Sequence, residues 1–319
     1  MSGRKWSERK IPLWMVLIVI IVGGVTFGLM FPETGKPQKQ RVILYCSQDQ
    51  VYAEPILKEF EQQTGIKVRA VFDSEAVKTV GLVNRLMAEK DHPQCDVFWN
   101  NEELRTRQLA AQDVFEKWAA VGYRSRCVTI NTNKLALAFT PHSLIELTNE
   151  TWRGKVALAY PLFGTTATHF LALRQTWGDE RWLAWCRALA ANKPFLVDGN
   201  SVAAKLVAKG DAWIGLTDSD DIAAEQREGA QIVALPLTEE SLLIPNTVAI
   251  VHGASHRLAA ERLFEYLQRP EIVEKLVAAH ALEGASPREI ATPTLKPDWE
   301  KLLSDLDAGT AKLKEIFLR

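Results

Sequence analysis

Residues 42–72 read VILYCSQDQVYAEPILKEFEQQTGIKVRAVF. The short apolar run VILYC (42–46) meets Ser47, Gln48 and Asp49, and a helical pattern follows through Gln63. Ala53, Ile56, Leu57 and Phe60 recur at the i, i+3, i+4, i+7 spacing of one helix face, and Gly65 stops it. IKVRAVF (66–72) then reads as a second strand. Strand, helix and strand in this order predict a crossover connection and a parallel pair.

The same rhythm continues outward. Ser74 is placed to cap a helix whose inner face is Val77, Val80, Val83, Leu86 and Met87. CDVFW (95–99) is a third strand, followed by Asn100, Asn101, Glu102 and another helix. A second α/β unit starts at KVALAY (155–160) and the helix GTTATHFLALRQTW. PFLVDG then leads into Asn200, Ser201 and a helix ended by Gly210; DAWIGL, DIAAEQREG and QIVALPL give strand, helix and strand. RCVTINT (126–132) and LLIPNTVAIV (242–251) are the expected crossings between the two units. The expected organisation is a first lobe from 41–125 and 250–319, broken by a second lobe with the hinge strands at 126–249. Each lobe is expected to carry a mainly parallel sheet.

A length of 319 residues allows two domains, and 47% hydrophobic content suits globular cores. A net charge of −1 implies no basic surface for nucleic acid. Residues 11–31, IPLWMVLIVIIVGGVTFGLMF, carry no charge. At ~1.5 Å per residue they reach ~31 Å, enough to cross a bilayer core. Arg4, Lys5, Arg9 and Lys10 in the flank 1–10 keep that end cytoplasmic and send the body out of the cytoplasm. Residues 11–31 thus read as a transmembrane anchor or uncleaved signal, because a cleaved signal has an apolar region of only ~7–15 residues before small residues. PETGKPQKQ completes a linker at 32–40. Cys46 closes a strand and Cys95 opens one, which puts them at opposite ends of a parallel sheet; with Cys127 and Cys186 they are expected as free thiols.

No Walker A loop, GxGxxG, GxSxG or HExxH occurs, and the six histidines lack ligand spacing, so the chain shows no enzyme machinery or enzyme cofactor. Polar clusters instead recur at the carboxyl ends of the strands, where open α/β sheets bind ligands. They supply the candidate ligand residues Ser47, Asp49, Ser74, Asn101, Glu102, Thr165, Thr166, Ser201, Asp218 and Asp220. Helix capping alone also accounts for Ser74, Thr165 and Ser201. GLTDSDD (215–221) sets three carboxylates at the end of an apolar strand, where a metal site, an acid/base pair, a helix cap and a loop are all open readings.

YCSQDQVYAEPILKEFEQQTGIKV resembles the opening of the periplasmic ferric-iron-binding proteins of ABC transporters, in the broad family of extracellular solute-binding proteins. DSEAVKTVGLVNRLMAEKDHPQCDVFWNNE, WRGKVALAYPLFGTTATHFLAL, GDAWIGLTDSDD and IPNTVAIVHGASHRLAAERLFEYLQRPE carry the resemblance over roughly 41–285. It implies a two-lobed type II periplasmic binding fold whose hinged lobes close on a small ligand, with an ABC permease as partner. Fe(III) is the first implied ligand, as cargo rather than cofactor. The chain departs from that pattern: Asp49 stands where iron-binding members commonly have a His, and Asp218-Ser219 where they have a tandem tyrosine pair. Asp49, Glu102, Asp218 and Asp220 are the oxygen donors that would replace them around a hard cation. The alternative is an oxyanion, a phosphate ester or (amino)alkylphosphonate, held by helix N-termini and hydroxyls. A sensory ectodomain is the third reading.

Overall fold

Among the described residues nine strands form one sheet system, in which the strands at 67–72, 41–46, 97–100, 243–251, 115–131, 214–218, 156–159 and 195–197 are neighbours in that order and the strand at 232–235 also pairs with that at 115–131. The computed structural model describes residues 40–72, 80–235, 238–286 and 294–318. Ser74, the expected segments 1–10 and 11–31, and all but the last residue of the expected linker 32–40 lie outside the described residues. Among the described residues no helix is long and apolar enough to cross a membrane.

The opening stretch folds as β1 (Arg41–Cys46), α1 (Gln50–Thr64) and β2 (Lys67–Phe72). β1 and β2 pair in parallel. Ala53, Ile56, Leu57 and Phe60 are buried, as their spacing requires, and Tyr52 joins them. Gly65 ends α1 at φ 71°, a left-handed conformation that an L side chain resists, and its N–H reaches the Glu61 carbonyl. α2 (Val80–Ala88) buries Leu82, Val83 and Leu86, whereas Met87 is exposed. Of the expected inner face Val83 and Leu86 are thus buried and Val80 half-buried, Leu82 joins them in place of Met87, and Val77 lies outside the described residues. β3 (Val97–Asn100) is buried along its length between β1 and β9, and α3 (Glu103–Ala111) follows.

β4 (Phe115–Asn131) is one 17-residue strand, longer than the crossing expected from RCVTINT. Its first part pairs with β9 and its last part, from Arg126, with β7 and β8. The second lobe contains β5 (Val156–Ala159), α4 (Gly164–Trp177), α5 (Asp179–Ala191), β6 (Phe195–Val197) and α6 (Asn200–Lys209). β7 (Ile214–Asp218), α7 (Ser219–Arg227) and β8 (Ile232–Leu235) complete it. β9 (Leu243–Val251) returns to the first lobe, where α8 (Arg257–Leu267) and α9 (Pro270–Ala278) cover the sheet. The sheets are mixed rather than mainly parallel. β1 with β2 and β3, and β5 with β6 and β7, pair in parallel. Every antiparallel pairing among the described residues involves β4 or β9, because a strand that crosses between lobes enters the second sheet against its direction.

The last helix, α10 (Trp299–Phe317), falls in the 250–319 segment drawn with the first lobe. Its buried Leu302, Leu306, Leu313 and Phe317 instead share a core with Leu158, Phe170, Trp182 and Trp185 of the second lobe. The Phe317 ring lies 5.9 Å from that of Phe170. No disulfide joins Cys46, Cys95, Cys127 or Cys186.

The first-lobe core should be sensitive at Phe60. Its ring is fully buried, 5.2 Å from Tyr266 in an edge-on arrangement. Phe60→Ala is expected to lower the unfolding free energy by about 3–5 kcal/mol in urea titrations, and a loss under ~1 kcal/mol would contradict this packing.

Candidate functional site

β4 presents Arg124 and Arg126 two residues apart, hence on one face of the strand. β7 lies antiparallel to it with Asp218 directly opposite Arg126. Both arginines and Asp218 are almost wholly buried. An unpaired charge there would be prohibitively costly, so partners are required. Arg126 Nη1 donates to Asp218 Oδ1 at 2.6 Å and Arg124 Nη2 lies 3.1 Å from Asp218 Oδ2. Arg124 Nη1 also donates to Asp220. Thr165 Oγ1 donates to Asp218 Oδ2 at 2.8 Å, and Asn200 Nδ2 reaches the same oxygen at 3.2 Å. Asn200 in turn accepts from Thr166 Oγ1 and from Arg126 Nη1, each at 2.9 Å. Asp218 is therefore the hub of a network reaching β4, α4 and α6.

Burial pushes the Asp218 carboxyl up, but the fields of Arg124 and Arg126 outweigh it and hold the group below the usual carboxylate range. Burial likewise works against the charge on Arg124, and Asp218 and Asp220 more than offset it, so its pKa is raised. His169 in α4 is buried, and burial, with Arg126 nearby, lowers its pKa to about 3; it is neutral at pH 7.

A pocket with ≈ 40 Å³ of free space opens above this network. At roughly 10–15 Å³ per water position it takes a group the size of about three waters. Its walls include Gly164, Thr165 and Thr166 at the start of α4, and Gly199 and Asn200 at the start of α6. Neither helix has a side-chain cap, and the first-turn N–H groups of a helix have no intrahelical acceptor. Asn101 comes from the first lobe, and Arg124 from the strand shared by both. Tyr160, Phe163 and the exposed Asp198 stand on the same walls.

The ten expected ligand residues separate in the structure. Asn101, Thr165, Thr166 and Asp218 line the pocket; Ser74 lies outside the described residues. Asp218 and Asp220 do not emerge at a solvent-facing rim: each is 1% exposed and bound to arginine. A carboxylate run such as GLTDSDD at a strand's end suggests an open rim, but buried cationic partners hold Asp218 and Asp220 inside. Glu102 caps α3, accepting from the Leu104 and Arg105 N–H groups at 2.7 and 2.9 Å and from Thr168 Oγ1 at 2.8 Å. Burial raises its pKa. Asp49 is half-buried at the start of α1, where its charge acts on Arg124. Ser47 is buried after β1, and Ser201 sits in the first turn of α6. The proposed metal quartet Asp49, Glu102, Asp218 and Asp220 is thus not one cluster. Among the described residues, Asp218, Asp220 and Asp221 bring oxygens within 4.8 Å of one another.

Sequence reading missed Arg124, Arg126 and Asn200 as a unit. The signal was YRSRC (123–127), where two arginines share a face in a strand otherwise read as apolar.

Residues 43–280 match the family model described as bacterial extracellular solute-binding protein. The major ferric iron-binding protein of Neisseria gonorrhoeae is 22% identical over 307 residues, spanning 88% of this chain and 91% of that protein. Iron-bound HitA from Pseudomonas aeruginosa superposes with a TM-score of 0.76 at 17% identity, covering 87% of this chain and 99% of HitA. The periplasmic binding protein AfuA from Actinobacillus pleuropneumoniae, with fructose-6-phosphate bound, gives 0.77 at 20% identity over 88% of this chain and 99% of its own. The fold is thus the two-lobed α/β one of periplasmic binding proteins.

Asp218→Asn should unfold more easily than the wild-type chain by about 3–5 kcal/mol at pH 7, since it takes the carboxylate from buried Arg126 and leaves Arg124 with Asp220 alone. The folded pKa of Asp218 is depressed, so this advantage exists above the unfolded value near ~3.9 and fades as pH falls through the folded value. Urea unfolding of both proteins from pH 7 to pH 3 checks it. A variant as stable as wild type at pH 7 would contradict the network.

Proposed function

Because this chain belongs to the bacterial extracellular solute-binding proteins, we propose that it is the extracytoplasmic receptor of an ABC importer, and that its pocket takes the oxyanion head of a phosphate ester or phosphonate. It acts by binding rather than catalysis: the lobes close on the solute about β4 and β9, and a membrane permease receives it. Residues 11–31 serve as its membrane tether, and nucleic acid is not a partner. Closure follows ligand because the closed form, with both lobes on the solute, binds it more tightly.

The observation that carries the oxyanion reading is the convergence of two uncapped helix N-termini and a buried arginine on one pocket. Arg124 keeps its Nε without a hydrogen-bond partner among the described residues. In the cluster, two arginines balance Asp218 and Asp220, leaving Asp221 at the start of α7. The N-terminal fields of α4 and α6 add to the arginines at the pocket, while Asp221 and the exposed Asp198 keep negative charge on its walls. The small pocket suits a phosphate-sized head, with the rest of the solute passing Tyr160, Phe163 and Asp198. AfuA, of similar fold, has a sugar phosphate bound.

Ferric iron is the second reading. The clustering of Asp218, Asp220 and Asp221 favours it, and so does the likeness to ferric iron-binding proteins. Those carboxylates would then have to exchange Arg124 and Arg126 for the cation.

Thermal melting of the full chain separates the two readings. Hexose 6-phosphate, aminoalkylphosphonate and inorganic phosphate are each titrated against ferric citrate and citrate alone. A phosphate ester or phosphonate should stabilise the protein, by about 2.7 kcal/mol at 100 times its Kd. Stabilisation by ferric citrate alone would overturn the oxyanion reading in favour of iron.

A further inference from the structure

A second set of contacts joins the lobes away from the pocket lining. Tyr52, in the first turn of α1, is 6% exposed and belongs to the first lobe; Arg227 is the last residue of α7 in the second. Arg227 Nη2 donates to the Tyr52 hydroxyl at 2.6 Å, and the guanidinium carbon lies 5.3 Å from the ring centroid. Arg227 Nη1 donates to the Ala279 carbonyl at 2.6 Å, just past α9 and again in the first lobe. One planar fork thus grips two first-lobe elements, which a lysine cannot imitate. The Tyr52 hydroxyl also donates to the Asp220 carbonyl at 3.5 Å, on the residue whose carboxylate binds Arg124. The gripping points are all on the first lobe and the arginine is on the second, so opening the cleft must break them.

We propose that Arg227 and Tyr52 form an interlobe latch that sets the population of the closed form, and through it the affinity and residence time of the solute, without touching the solute. This rests on the reading of the chain as a receptor whose lobes close on ligand. Apparent affinity scales with the fraction of molecules in the binding-competent state. Losing a charge-assisted hydrogen bond and its ring contact should therefore weaken closure about 10-fold or more.

The experiment measures the distance between spin labels, one on each lobe, in the full chain without ligand. Wild type, Tyr52→Phe, Arg227→Lys and Arg227→Gln are compared. The closed fraction should fall in all three variants, most in Arg227→Gln, with Tyr52→Phe intermediate because its ring remains. Equal distance distributions in wild type and Arg227→Gln would overturn the latch, and so would a fall in melting temperature with unchanged distances, which marks a structural role only. Inorganic phosphate is the binding probe: its dissociation should be about 10-fold faster from Arg227→Gln with little change in association. If phosphate binds neither protein, the oxyanion reading fails while the label distances still decide the latch.

Discussion

Two arginines buried on one face of β4 constrain the rest of the site. A guanidinium does not lose its proton, so each needs a carboxylate and hydrogen-bond acceptors within reach. Asp218, directly across the sheet from Arg126, supplies the first, and Asp220, in the first turn of α7, the second. Meeting Asp218 then fixes Thr165 at the start of α4 and Asn200 at the start of α6. The ends of three helices are registered to one carboxylate, and that carboxylate is registered to the strand that joins the lobes.

This arrangement decides what the pocket can offer a solute. Carboxylates occupied by arginine are poor ligands for a metal, because the metal must compete with two fixed cations for the same oxygens. Hydroxyls turned toward Asp218 have spent their donors. What remains toward a solute is the start of α4 and of α6 together with Arg124, donor chemistry set beside the carboxylates of Asp221 and the exposed Asp198. Proteins with this two-lobed scaffold are found with iron and with a sugar phosphate. In this chain the positions where a tyrosine pair was expected read Asp218-Ser219, and the arginine-bound Asp218 sets it apart from a phenolate site.

Much of the architecture was legible in the sequence. Helix periodicity at Ala53, Ile56, Leu57 and Phe60, and the apolar strands around it, rest on local pattern, which burial then respects. α10 resisted reading because a helix's pattern says which face is buried and not against what; its leucines found the second lobe. GLTDSDD was legible as the end of a strand, and Asp218 and Asp221 of it line the pocket. Its burial was not legible, since the arginines that pair with Asp218 lie more than 90 residues away in sequence. Glu102 illustrates the limit from the other side: a carboxylate at a strand's end is as good a helix cap as a ligand, and here both oxygens go to the cap.

The central claim, that the arginines have taken the carboxylates and left an oxyanion site, is tested most directly by what the protein carries from the cell. Full-length chain purified without chelators is weighed by native mass spectrometry and its iron and phosphorus are assayed. The account predicts a phosphorus-containing adduct at up to one per chain and no stoichiometric iron. One iron per chain, without phosphorus, would contradict it.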